Sequence, residues 1–162
     1  AGCFDEKNYA RETLNLHGDV CVDKVLGSAI LFKKKDIMEL GLLDENFFMY
    51  YEDDDLCKKV KKKNGSVIQV FEAKAKHLHG QSKVKNVLKR IYIRNYHFTY
   101  DELYYYFKIN KHHEKYQNLK KKLPNYIVKM IINALIFRYG KSIYYFALIK
   151  AFYDFNKLIK NN

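Results

Sequence analysis

Cysteine is scarce: Cys3, Cys21 and Cys57 are the only three in 162 residues, none in a CxxC spacing and one left over under any pairing. That excludes a disulfide framework and a zinc ribbon, and a reducing compartment is expected. Long apolar runs are missing too. The best candidates, "MIINALIF" and "SIYYFALI", are eight residues each and are separated by Arg138 and Lys141, well short of the roughly 18 residues that suggest a membrane-spanning helix. The opening "AGCFDEKNYARETLN" has no initiator Met and neither the basic nor the apolar block of a secretory signal. The chain is therefore expected to be the later part of a longer protein, in the cytoplasm or at the inner face of the membrane. No phosphate-cradling glycine loop, no Ser-His-Asp elbow, no internal repeat and no low-complexity linker is present.

What remains is a chain that should fold, with 48% hydrophobic and 16% aromatic residues and a formal net charge of +12. The charge is uneven. Residues 1–82 carry 13 Lys/Arg against 14 Asp/Glu, whereas residues 83–162 carry 17 against 4, so the whole excess lies in the second half. A basic surface of that kind suits membrane headgroups, a diphosphate or nucleic acid, although lysine is also the ordinary residue of a solvated face.

The pattern changes at the same place. "VDKVLGSAILFKK" (22–34) has the aliphatic content of a strand, with Gly27-Ser28 where the backbone must bend or come close to something. Asp36 and Glu39 have the spacing of a capping box opening the short helix "DIMEL", which Gly41 stops. "EDDDLCKKVKKKNG" (52–65) predicts a second helix, with acids in its first turn, five lysines toward its end and Asn64-Gly65 to finish it. Val67 to Phe71 alternates as a strand. Beyond Ser82 the pattern is helical and aromatic, with a helix expected after Pro124. Residues 1–82 thus read as α/β and 83–162 as a helical tail.

The densest chemistry lies in "LLDENFFMYYEDDDLC" (42–57), where Asp44, Glu45 and the run Glu52 to Asp55 flank an aromatic block. One or two acids suit a helix start; four in a row repel one another and invite a role as general base or cation ligand beside an aromatic pocket. Asp53-x-Asp55 has the DxD spacing of metal-diphosphate sites, a match that any acidic run contains. A calcium loop lacks its glycine and distal glutamate. His77 and His79 in "HLHGQS" fall on one side of an extended segment and could ligate a metal.

Taken together, "GSAILFKKKDIMELGLLDENFFMYYEDDDLCKK" and the later "EAKAKHLHGQS" resemble the second half of the catalytic domain of family 2 glycosyltransferases of the rhamnosyltransferase-like group, over about Val22 to Ser82. Leu43 stands where that group often has Phe, and Lys59 where it often has Arg. The resemblance implies the C-terminal half of a glycosyltransferase A fold, Rossmann-like with a mixed sheet, in residues 1–82, followed by the tail. It implies an inverting transfer from a nucleotide-diphosphate sugar to a glycan or lipid-linked acceptor. Asp53 matches the general base, Glu52 and Asp55 its neighbours at the acceptor site, Gly27 and Ser28 the backbone against substrate, and Asp44 and Glu45 the cleft wall. His77 matches a ligand of the divalent metal, Mg²⁺ or Mn²⁺, on the donor diphosphate. In this frame Asp53-x-Asp55 belongs to the base motif, and the nucleotide-binding half with its own DxD is not in this chain.

Two other readings stand beside it. The interleaved Tyr and Lys of "RIYIRNYHFTYDELYYYFK" would suit base stacking in a nucleic-acid or anionic-surface module. No RNP-like or helix-turn-helix signature accompanies them, so nucleic acid is not the expected partner; a helical scaffold without chemistry is the third reading. For residues 83–162, apolar rows such as Ile127, Ile131 and Leu135 with abundant Lys and Tyr predict peripheral membrane contact.

Overall fold

The computed structural model describes residues 18–76 and 84–161. In chain order its elements are β1 (Val20–Val22), α1 (Lys34–Glu39), α2 (Glu52–Lys62), β2 (Val67–Gln69), α3 (Val87–Ile109), α4 (Glu114–Lys121), α5 (Leu123–Leu135) and α6 (Tyr139–Asn161). The described residues fall into two compact units, one holding 18–46 and 52–76, the other 47–51 and 84–161.

The expected mixed, Rossmann-like sheet with a helical tail is corrected by this architecture. Among the described residues 61% are helical, and the strands are two short antiparallel ones, β1 and β2. They pair Val20 with Gln69, Cys21 with Ile68 and Val22 with Val67. The aliphatic stretch 22–34 does not continue as a strand: the chain leaves the ladder after Val22, turns at Gly27-Ser28, and leaves Leu31 99% exposed. A strand needs a hydrogen-bonded neighbour as well as the right side chains, and among the described residues β1 has only β2.

In the first unit α2 behaves as its sequence dictates. Glu52 to Asp55 occupy its first turn and Lys59, Lys61 and Lys62 its last, each sign facing the favourable end of the helix dipole. Asn64 then takes φ +58° and Gly65 N–H returns to Val60 O at 3.0 Å, closing the helix. The capping box at Asp36 is not formed: α1 begins at Lys34, its N-cap Lys33 makes no side-chain cap bond, and Asp36 lies inside the first turn. Gly41 stops α1 as expected, with φ +79°. The core of this unit is small, with Val22, Cys57 and Val67 buried and Val20, Val25 and Val60 packed around them.

The second unit is built on rings. Leu103, Tyr106, Tyr116, Phe152 and Phe155 form its buried centre. Asn86 caps α3, its side chain accepting from Lys89 N–H at 2.9 Å. Tyr92 lies against Phe146 and Tyr100 edge-on to Phe155, so α3 and α6 ascend together. Tyr126 instead meets Phe152, while Ser142 Oγ donates to Met130 O at 3.1 Å, so α5 and α6 form an antiparallel hairpin. Pro124 sits in the first turn of α5, where its missing N–H is harmless. At the hairpin turn Arg138 N–H reaches Asn133 O at 2.8 Å around Phe137, whose φ of +58° is the left-handed region. Such a conformation costs a residue other than glycine about 1–2 kcal/mol.

Candidate functional site

Asp53 is the best-organised carboxylate of the acidic run. Gly27 N–H donates to its Oδ2 at 2.7 Å across 26 residues of chain, and Asp54 N–H donates to its Oδ1 at 2.9 Å. Both oxygens are thus oriented by backbone amides, one from the Gly27-Ser28 turn and one from the first turn of α2. Each keeps lone-pair capacity for a further partner. A Cβ placed on Gly27 would meet Asp53 Cβ and Oδ2 at 3.5 Å, ordinary van der Waals contact, so glycine is not needed to make room for Asp53. Gly27 and Ser28 are both exposed.

The neighbouring acids have other partners. Asp54 pairs with Lys24 at 3.3 Å. Asp55 is buried beside Lys59 at 3.5 Å, and Lys59 Nζ also donates to Leu42 O at 2.9 Å, tying α2 to the segment after α1. Asp23 pairs with Lys61. The like charges of Asp53, Asp54 and Asp55 are therefore divided among separate lysines and amides, which offsets their mutual repulsion. Cys57, buried one turn on, has its thiol pushed up by burial, with the Asp53 and Asp54 charges acting in the same direction. Asp44 accepts from Asn46 N–H at 3.0 Å and from its Nδ2 at 2.8 Å, capping its own turn, and Glu45 is exposed.

The rings of the aromatic block pack within the second unit. Phe47 to Tyr51 belongs to the second unit, where Phe47 meets Tyr104 at 4.9 Å, Phe48 stacks on His97 at 4.2 Å and Tyr50 meets Phe98 at 5.3 Å. What holds this segment to α3 is Asp101, which sequence reasoning missed. Its side chain is fully buried and accepts from the N–H groups of Phe48 (3.4 Å), Met49 (3.1 Å) and Tyr50 (3.0 Å). Burial pushes its carboxyl up, and the three amides pull it back only in part. Glu102 is likewise raised by burial, opposed by a hydrogen bond from Tyr51 and by Lys122 and Lys115. Asp154 accepts from Tyr96 OH at 2.9 Å and from Lys150 at 2.6 Å. Burial opposes ionisation of Asp154, but those two donors outweigh it and leave the carboxyl below its usual range. The available signal was rarity: with only four acids among residues 83–162, each acid in that basic half is conspicuous.

The tyrosines that suggested base stacking largely face one another. Tyr92 stacks on Tyr96 and Tyr96 on Tyr100, while Tyr106 and Tyr116 are buried.

His77, assigned to the metal by resemblance, lies outside the described residues, as does His79. Among the described residues no group of three or more His, Cys, Asp or Glu side chains is placed to hold a metal ion. Nor is any helix among them long and apolar enough to cross a membrane. Comparison of the chain with family models, with curated proteins and with solved structures returned no match.

Proposed function

We propose that the chain is the acceptor-side portion of an inverting glycosyltransferase that uses a nucleotide-diphosphate sugar, with Asp53 as general base toward a glycan or lipid-linked acceptor. The observation that supports it most is the 2.7 Å bond from Gly27 N–H to Asp53 Oδ2. It joins the two motifs, the Gly-Ser turn and the Glu-Asp pair, that the resemblance brings to one substrate, although they lie 26 residues apart. The proposal concerns this site and not the sheet that the resemblance also implied.

Chemically, a carboxylate fixed by two amides has lost the freedom to rotate, so it is oriented before the acceptor arrives. The acceptor hydroxyl gives its proton to a carboxylate oxygen of Asp53 while its own oxygen attacks the anomeric carbon. The bond from that carbon to the diphosphate breaks, and the diphosphate leaves with the electron pair. Asp54, held by Lys24, and Asp55, held by Lys59, shape the charge around the base without taking the proton. A divalent metal, if the donor side supplies one, would offset charge on the leaving diphosphate.

The test is sugar transfer by the polypeptide that also carries the donor-binding half. Asp53→Asn should lower the rate by about 100- to 10,000-fold, and Asp54→Asn far less. Turnover by Asp53→Asn within about threefold of the parent, with the fold intact, would place the base elsewhere.

A further inference from the structure

The surface of α5 is unlike any other helix face in the second unit. Leu123, Tyr126 and Met130 are half-buried toward its neighbours, but Ile127, Val128, Ile131, Ile132 and Leu135 are all exposed, and the apolar row runs on through Ile136 into the turn. No residue of α5 is buried. At the turn, Leu135 is 72% and Phe137 75% exposed, and Tyr139 packs edge-on to Phe137 at 6.1 Å. Beside this row an open groove of about 320 Å³ lies between α5 and α6, lined by Ile131, Leu135, Ile143 and Phe146 among others. A contiguous apolar patch on this scale marks an interaction surface.

Charge selects the occupant. Between Lys115 and Tyr153 there are eight Lys/Arg and not one Asp or Glu. Two copies of this face would bring like charges together, so self-association through it is opposed. An anionic lipid surface satisfies both features: the aliphatic row and the Phe137 ring enter the acyl boundary, while Lys120, Lys121, Arg138 and Lys141 at the ends of α5 meet the headgroups. The 13 residues of α5 span about 20 Å at 1.5 Å per residue. The hydrocarbon core is about 30 Å thick, so α5 lies along the surface. Holding a bulky, 75% exposed ring in a left-handed turn is unfavourable for the free chain, as expected of a residue kept for contact.

We infer that the outer face of α5 and the Phe137-Arg138-Tyr139 turn form an interfacial anchor for anionic lipid bilayers. The anchor is independent of the role given to Asp53.

The test is co-sedimentation of the full 162-residue chain with vesicles of phosphatidylcholine alone or mixed with phosphatidylserine. It is run at about 0.1 M and 1 M salt, between which screening shortens from about 10 Å to 3 Å. Binding is expected on the mixed vesicles at low salt and is expected to weaken at high salt. Each surface cation contributes about fivefold, so Arg138→Gln with Lys141→Gln lowers the affinity about 25-fold. Leu135→Asp and Phe137→Ser each lower it about tenfold or more, with the helical circular dichroism retained because both side chains are exposed. Leu31→Asp, at an exposed apolar residue of the first unit, leaves binding unchanged and separates a specific anchor from general stickiness. Equal binding to neutral and charged vesicles would overturn the inference. So would equal sensitivity to Leu31→Asp, or no vesicle binding together with dimerisation or capture of an acidic protein that depends on Leu135 and Phe137.

Discussion

The two units are held together by different means. The first has five buried apolar side chains, Val22, Ile37, Leu56, Cys57 and Val67, of which only Val22, Cys57 and Val67 form one cluster, and relies also on ion pairs and amide-to-carboxylate bonds such as Lys24 to Asp54, Lys59 to Asp55 and Gly27 to Asp53. The second buries Phe152, Phe155, Leu103, Tyr106 and Tyr116 in a ring-on-ring core. Apolar burial contributes about 1.5–3 kcal/mol per large side chain, exposed ion pairs typically less than 1. The candidate base thus lies in the unit with less apolar cement, where local opening should be easiest, and the exposed apolar face of α5, proposed above to meet lipid, lies on the unit with the larger core.

Truncation in each core should break this comparison most directly. Phe152→Ala is expected to destabilise the helical unit by about 3–5 kcal/mol, while Val67→Ala should remove about 1.5 kcal/mol from the first unit. Urea unfolding followed by amide exchange in each unit would measure both, and equal losses would show that the two cores are alike in strength.

Asp101→Asn sharpens the comparison, because it tests whether the helical unit also depends on a polar clasp. An amide offers one acceptor oxygen where the carboxylate offers two, leaving at least one N–H of Phe48 to Tyr50 unsatisfied, at about 1–3 kcal/mol. The difference should depend on pH. Because the folded carboxyl titrates above its ordinary value of 3.8, the folded state binds the proton more tightly than the unfolded chain. Its contribution is therefore fully present below that ordinary value and declines as pH rises through the raised folded one. Thermal melts of parent and variant from acidic to neutral pH should show the gap narrowing upward, and a widening gap would reverse the sign assigned to Asp101.

Lys24→Gln is the smallest expected effect. The pair with Asp54 is 40% exposed on the lysine side, so its loss should cost less than about 1 kcal/mol and shrink further in salt. A larger loss would mean that charge, and not Val22, Cys57 and Val67, holds the first unit.

Where local chemistry is sufficient, the linear chain already specified the outcome. The acids at 52–55, the lysines behind them and Asn64-Gly65 set the limits of α2, and Gly41 stops α1, because caps and dipoles act within one or two turns. The strand expected over 22–34 was illegible for the opposite reason: aliphatic content is shared by strands and extended loops, and only a partner strand distinguishes them. The place of the aromatic block was illegible for the same reason, since nothing in "FFMYY" indicates that its rings pack on α3, some fifty residues later, or that its backbone amides reach the carboxylate of Asp101.

The acidic run at 52–55 is visible in the sequence, and the family resemblance brought Asp53 forward within it. The tertiary structure adds that its partners differ from those of its neighbours: the amide of Gly27 lies on its oxygen, whereas Asp54 and Asp55 pair with lysines. The sequence determined which groups carry charge and which faces are apolar, because those are properties of side chains and their period. Which carboxylate is oriented by the backbone, and which apolar face of α5 stays uncovered, depended on long-range packing, whose partners lie too far along the chain for any local pattern to encode.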